Sequence, residues 1–208
     1  MSLEDSFNSV RPGDISGRDR YALRTSLVVP RPIGWISTRS SEGVPNLAPF
    51  SYFAALAGSP PLVGVSIGSR GGEPKDTLVN TRETGVFCVN VCSEELLEAM
   101  NVSSGEYSPE VDEFLLSRLT MMEGEEAGAP FVGEAPAVLE CRVFREVGLE
   151  PAKNVLVIGE VVCVHLSKSL GLLPGSWAVD PATLRPVGRL GSDRYLLPRE
   201  ILELPRPK

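Results

Sequence analysis

The chain has 208 residues, 42% hydrophobic and 23% charged, a balance that suits one globular domain with a substantial core and excludes a wholly disordered or fibrous protein. Its net charge of −7 is the wrong sign for a nucleic-acid partner, whose phosphates are held mainly by Lys and Arg. The opening residues lack the basic start and apolar core of a signal peptide, and no apolar run reaches the roughly eighteen residues of a membrane span, so a soluble, cytoplasmic protein is expected.

Twenty glycines and eighteen prolines favour many turns and short strands, which tilts the expected fold toward β. Residues 1–20 are polar and read as an N-terminal arm, with the folded domain expected over 21–197 and a peripheral tail over 198–208. The run "PIGWISTRSSEGVPNLAPFSYF" predicts a hairpin, with strands near 33–39 and 44–53 joined by the turn at "SSEG". A further strand is expected over "PPLVGVSIG" (60–68), then the loop "SRGGEPKD". A short helix should start near Thr77 with Asp76 as its N-cap, followed by the strand "TGVFCVNVC".

Ser93 and the Ser108-Pro109 pair each signal a helix start, with Leu96, Leu97 and Met100 on one apolar stripe and Val111, Phe114, Leu115 and Leu119 on the other. Two long strands follow, "AVLECRVFREVGL" and "NVLVIGEVVCVHL", the second interrupted by Gly159, which suggests a bulge. Strands with inserted helices and no regular βαβ alternation predict a mainly β fold, a closed or partly closed antiparallel barrel. So small a barrel fills with side chains, which leaves a ligand to its outside or rim.

Cys88, Cys92, Cys141 and Cys163 form no CxxC, and His165 is the only histidine. Cys88 lies in an apolar strand pattern as a small core residue would, so no metal or thiol site is expected and His165 reads as a half-exposed strand-end histidine. The tetrapeptide Pro74-Lys75-Asp76-Thr77 sets a cation and a hydroxyl at a helix start, where unpaired N–H groups attract an anion. A capped surface helix would read the same way, and no P-loop or GxGxxG motif is present. In "VPNLAPFSYF", Pro45, Asn46, Pro49 and Ser51 interrupt an apolar run. That pattern fits either an edge strand with a bulge or a backbone released from the ladder to hold a planar, hydrogen-bonding ligand.

The runs "RPIGWISTRSSEGVPNLAPFSYFAALAGSPPLVGVSIG", "PKDTLVNTRETGVFCVNVCSEELLEAMN", "VDEFLLSRLT", "LVIGEVVCVHL" and "RPVGRLGSDRY", in that order, resemble the flavin reductase-like, FMN-binding split-barrel family and its flavoredoxin-like branch. The resemblance covers residues 20–197. It implies that Asn46, Ala48, Pro49, Phe50 and Ser51 line the isoalloxazine and ribityl chain of FMN, with Ser66, Ile67 and Gly68 as a second wall and Lys75, Asp76 and Thr77 on the phosphate side. Asn90, Asn101 and the Arg31–Gly34 stretch are further contributors that it suggests. The segment usually reads RPVARLGGxxY in the family; here Gly188 replaces the alanine and Ser192 the second glycine, while Arg189 and Tyr195 match as substrate contacts.

With FMN carrying the chemistry, no catalytic acid, base or metal is required of the protein, which agrees with a single histidine. The resemblance implies hydride transfer from NADH or NADPH to flavin N5, and a homodimer. Two other readings stand beside it: an electron carrier that keeps FMN and is reduced by a redox partner protein, and a flavin-binding module without turnover.

Overall fold

The computed structural model describes residues 6–207. Its main sheet has seven antiparallel strands, β1 (Gly34–Arg39), β2 (Pro45–Phe50), β3 (Phe53–Gly58), β4 (Pro61–Ile67), β5 (Val86–Val91), β6 (Ala137–Gly148) and β7 (Val155–Leu166). They lie in the order β2-β1-β5-β6-β7-β4-β3, so the two edge strands are consecutive in the chain. Between them the carbonyl of Tyr52 accepts the N–H of Ser66 at 2.8 Å, which ties the β2–β3 corner to β4. The sheet thus curls until its edges approach without a continuous ladder, a split antiparallel barrel as expected.

Two apolar clusters flank the sheet. Ile36, Phe50, Val65, Ile67, Phe87, Val89, Cys141 and Val157 fill one side, while Trp35, Leu47, Cys88, Met100, Phe114 and Val138 pack on the other. Trp35 and Ile36 are adjacent in β1 and both fully buried, on opposite faces. A strand covered on both sides has no reason to alternate, which is why "GWIST" shows so weak a period in the sequence.

The helices depart from expectation in instructive ways. The helix α1 (Gly17–Leu27) begins inside the stretch read as an arm; Ser16 caps it by accepting the Asp19 N–H at 3.1 Å, but only Thr25 of it is buried. With no wide apolar stripe, periodicity could not reveal it. Strand β3 was also absent from the expectation, because "FAALAG" lacks β-branched residues and is mostly exposed. The helix α2 (Asp76–Thr84) has Lys75, not Asp76, at its N-cap; Asp76 is its first helical residue, where its charge still complements the helix dipole.

After Ser93 a 3₁₀ turn leads into α3 (Leu97–Val102). The helix anticipated after Ser108 is only α4 (Glu113–Leu116). Its cap is Asp112, whose Oδ1 accepts the N–H groups of Phe114 at 2.8 Å and Leu115 at 3.1 Å. The short helix buries Phe114 but leaves Leu115 exposed. Near Gly159 the ladder slips as anticipated, although the extra residue there is Phe144 of β6, opposite the glycine rather than at it.

Candidate functional site

The interrupted run at 44–51 is the edge strand β2, and its parity explains the prolines. The Leu47 N–H turns away from the sheet and donates to Glu113 Oε2 at 3.0 Å. Pro45 and Pro49 share that parity, so their missing N–H groups remove nothing from the pairing with β1. The outward backbone of β2 is therefore open to a ligand beyond Leu47. Burial pushes the Glu113 carboxyl up, an effect that the Leu47 N–H opposes.

Alternation divides the expected β2 residues between two faces. Asn46, Ala48 and Phe50 point toward α2 and the barrel interior, whereas Pro49 and Ser51 line a cavity on the other face. The buried Asn46 amide donates to Thr38 Oγ1 at 3.2 Å and Thr77 Oγ1 at 3.0 Å, binding β1, β2 and the start of α2 together. Asn80 reinforces the link by donating to Thr38 at 3.0 Å.

The end of β4 and the start of α2 complete the first face. Ser66 Oγ accepts a hydrogen bond from Asn154 at 3.1 Å. Gly68 stands over the same asparagine, and the Ile67 side chain is buried in the interior, which leaves only its main chain for a ligand. Lys75 Nζ lies 5.5 Å from the centre of the Phe50 ring and has no carboxylate within 4.0 Å among the described residues. It stands beside the N–H groups of Asp76 and Thr77, which precede the first intrahelical bonds of α2. Arg70, in the adjoining loop, donates to the Tyr107 carbonyl at 2.8 Å while its buried Nε has no partner. Two cations without acid partners around a helix start suit a phosphate, and an open strand edge with mixed donors and acceptors suits a flavin ring.

The cavity on the second face measures about 390 Å³. A small three-stranded sheet made by Arg31–Pro32, Gly188–Arg189 and Tyr195–Leu196 brings Arg31, Arg189 and Tyr195 to it, beside Pro49 and Ser51. The Arg189 guanidinium lies 4.5 Å from the centre of the Tyr195 ring, and Asn101 Oδ1 is 3.4 Å from the Tyr195 hydroxyl. Residues from α1 line the cavity as well, notably Tyr21 and Thr25. The stretch read as an arm thus contributes to the site, and the one local signal for it was the Ser16-to-Asp19 cap pattern.

Asn90 does not join either face. It is fully buried, donates to the Trp35 carbonyl and Ser37 Oγ, both at 2.9 Å, and accepts the Val132 N–H at 2.8 Å. Both of its donors and its amide oxygen are engaged in tying β5 to β1 and to Val132, so its side chain serves the core and is not free for a cofactor. Cys88, Cys92 and Cys141 are core residues too: burial pushes Cys92 and Cys141 up to about 12, far from thiolate chemistry.

Glu140, Cys163 and His165 do meet, with ligating atoms within 4.8 Å of one another. The Glu140 carboxylate, however, already accepts the N–H groups of Glu125 at 2.9 Å, Glu126 at 3.1 Å and Ala127 at 2.7 Å, and bonds His165, whose ring stacks on Phe131. Burial alone would raise this carboxyl, but these partners outweigh it and hold it at about 2. The cluster clasps the 124–129 loop and lies outside the candidate site.

Known proteins share this fold. Over 95% of the chain and 98% of the other, the structure superposes on nitrilotriacetate monooxygenase component B from Bacillus cereus, with a TM-score of 0.90 and 34% identity. The 2-nitrobenzoate 2-nitroreductase NbaA of Pseudomonas fluorescens matches with a TM-score of 0.87 and 26% identity, over 96% of both chains. The sequence is also 31% identical to an NADH-dependent FAD reductase of Streptomyces globisporus over 152 residues, 71% of this chain and 77% of that one. The family model described as "Flavin reductase like domain" matches residues 25–176, which hold all seven strands of the main sheet but not Arg189 or Tyr195 of the second face, and the chain belongs to that family.

Proposed function

We propose that this protein is an FMN-dependent oxidoreductase using NADH or NADPH as electron donor. The observation that carries the reading is the open edge of β2 beside Lys75, a cation at the start of α2 with no carboxylate partner among the described residues. When bound, the flavin supplies the hydride-accepting centre, N5 of its ring. The chain's part is to bind and orient. Main-chain groups of residues 48–51 and 66–68 hold the ring and ribityl chain, while Lys75, Thr77 and the first N–H groups of α2 hold the phosphate, with Arg70 added to that set by its unpartnered Nε. Arg189 and Tyr195 position the second reactant on the Ser51 side of the strand.

The NADH-dependent reductase among the relatives supports a pyridine-nucleotide donor, and the nitroreductase supports a small organic acceptor. We also propose a homodimer, supported by the apolar residues that α1 and β3 leave exposed. The test is an anaerobic spectrum of the purified protein before and after NADH, then NADPH. Rapid bleaching of a bound flavin supports the reading and identifies the donor. Flavin that stays oxidised until a protein reductant is added points to the electron-carrier alternative, and no flavin uptake from excess FMN overturns the assignment. Lys75→Ala should weaken FMN affinity by about tenfold, measured by fluorescence titration; unchanged affinity removes the phosphate role from Lys75.

A further inference from the structure

Resting on that flavin reading, we propose that the cavity beside Ser51 seats an anionic, single-ring reactant whose carboxylate is held between Arg31 and Arg189. Arg31 is only 7% exposed, and every partner it has is a neutral oxygen. Its Nη1 donates to the carbonyls of Thr25 and Val28, both at 2.7 Å, its Nη2 to that of Leu190 at 2.9 Å, and its Nε to Ser51 Oγ at 3.3 Å. Four of five N–H groups are thereby used, and one on Nη2 remains. No carboxylate of the described residues lies within 4.0 Å of it. A guanidinium cannot neutralise itself by losing a proton, so the charge stays, offset only by neutral oxygens, the carbonyls at the end of α1 among them.

Opposite it stands a second cation. Arg31 and Arg189 are direct cross-strand partners in the small sheet, an arrangement of like charges that is unfavourable unless something negative lies between them. Arg189 has one acidic neighbour, Asp193, whose Oδ1 is 3.8 Å away and whose side chain is fully exposed at the cavity rim. An anionic ligand can take Asp193's place. The remaining walls include Ile33, Pro49, Met100 and Tyr195, flat and apolar surfaces for a ring. At about 390 Å³ the space suits one ring with its substituents rather than a whole dinucleotide.

The experiment is calorimetric titration of the flavin-loaded protein with benzoate, benzamide and ADP, repeated with Arg189→Gln and Asp193→Asn. Flavin content is read separately by absorbance. Benzoate should bind at least tenfold tighter than benzamide or ADP, lose about tenfold in Arg189→Gln, and gain several-fold in Asp193→Asn, a gain that a purely structural Arg189 would not produce. Equal affinity for benzoate and benzamide, or no effect of Arg189→Gln, overturns the proposal even when flavin is bound. An Arg189-dependent preference for ADP overturns the carboxylate assignment and gives the site to a nucleotide phosphate. If the protein takes up no flavin yet binds benzoate through Arg189, the anion site stands and the flavin reading fails.

Discussion

At the scale of single residues, the serine at position 192 has a visible backbone cost. Ser192 sits at φ 54°, the left-handed region, where a side chain crowds its own backbone. Ser192→Gly should relieve this and stabilise the fold by up to about 1 kcal/mol, raising the melting temperature by roughly 2–4 °C in a calorimetric scan. An unchanged or lower melting temperature would show that the serine is held there without strain. Glu140 makes a contrasting case. Its folded carboxyl lies at about 2 against an ordinary 4.5, so its stabilisation is complete above pH 4.5 and is lost as pH falls toward 2. The contribution at neutral pH is on the order of 3 kcal/mol. Urea unfolding at pH 7 and pH 3 should show a larger acid loss in the native protein than in Glu140→Gln; parallel losses would remove Glu140 as the cause.

At the scale of elements, the long β6–β7 ribbon depends on a missing side chain. A Cβ on Gly159 would stand 2.4 Å from Cζ of the buried Phe87 and 3.0 Å from Cβ of Cys141. The bulge that the sequence places at Gly159 is thus coupled to packing against β5, where an aromatic ring occupies the space. Gly159→Ala should cost about 1–3 kcal/mol in denaturant unfolding, and Phe87→Leu in the same chain should recover part of it. Strictly additive losses would refute direct contact as the reason. The edge strand β2 follows the same logic of space and pairing, because both prolines fall where no ladder donor is needed.

At the scale of the whole molecule, the described residues leave apolar surface that the single chain does not cover. Leu27 at the end of α1 is 71% exposed and Val28, just beyond the helix, 59%, and Leu56 of β3 lines one cavity together with Val28. The homodimer proposed above would cover this surface with a second copy and so bury a helix that by itself buries almost nothing. Sedimentation should give twice the mass of one chain, and Leu27→Lys with Leu56→Lys should shift the protein toward monomer. A native monomer at micromolar concentration would count against the dimer. No helix of the described residues is long and apolar enough to cross a membrane.

The sequence by itself determined the mainly β architecture, the hairpin of β1 and β2, the long β6–β7 pair and the family, because β-branched runs, turn residues and ordered motifs are local features. It also brought Lys75 and Thr77 to a helix start, since capping chemistry is written within a few residues. Only the tertiary structure decided which of the suggested residues meet. Asn90 has the composition of a ligand contact but spends every hydrogen bond inside the core. Arg31 and Arg189 are separated by most of the chain, and neither shows locally that the other stands across from it. Their two charges, brought together with only the exposed Asp193 beside Arg189, come from long-range strand pairing, which no periodicity or short motif encodes.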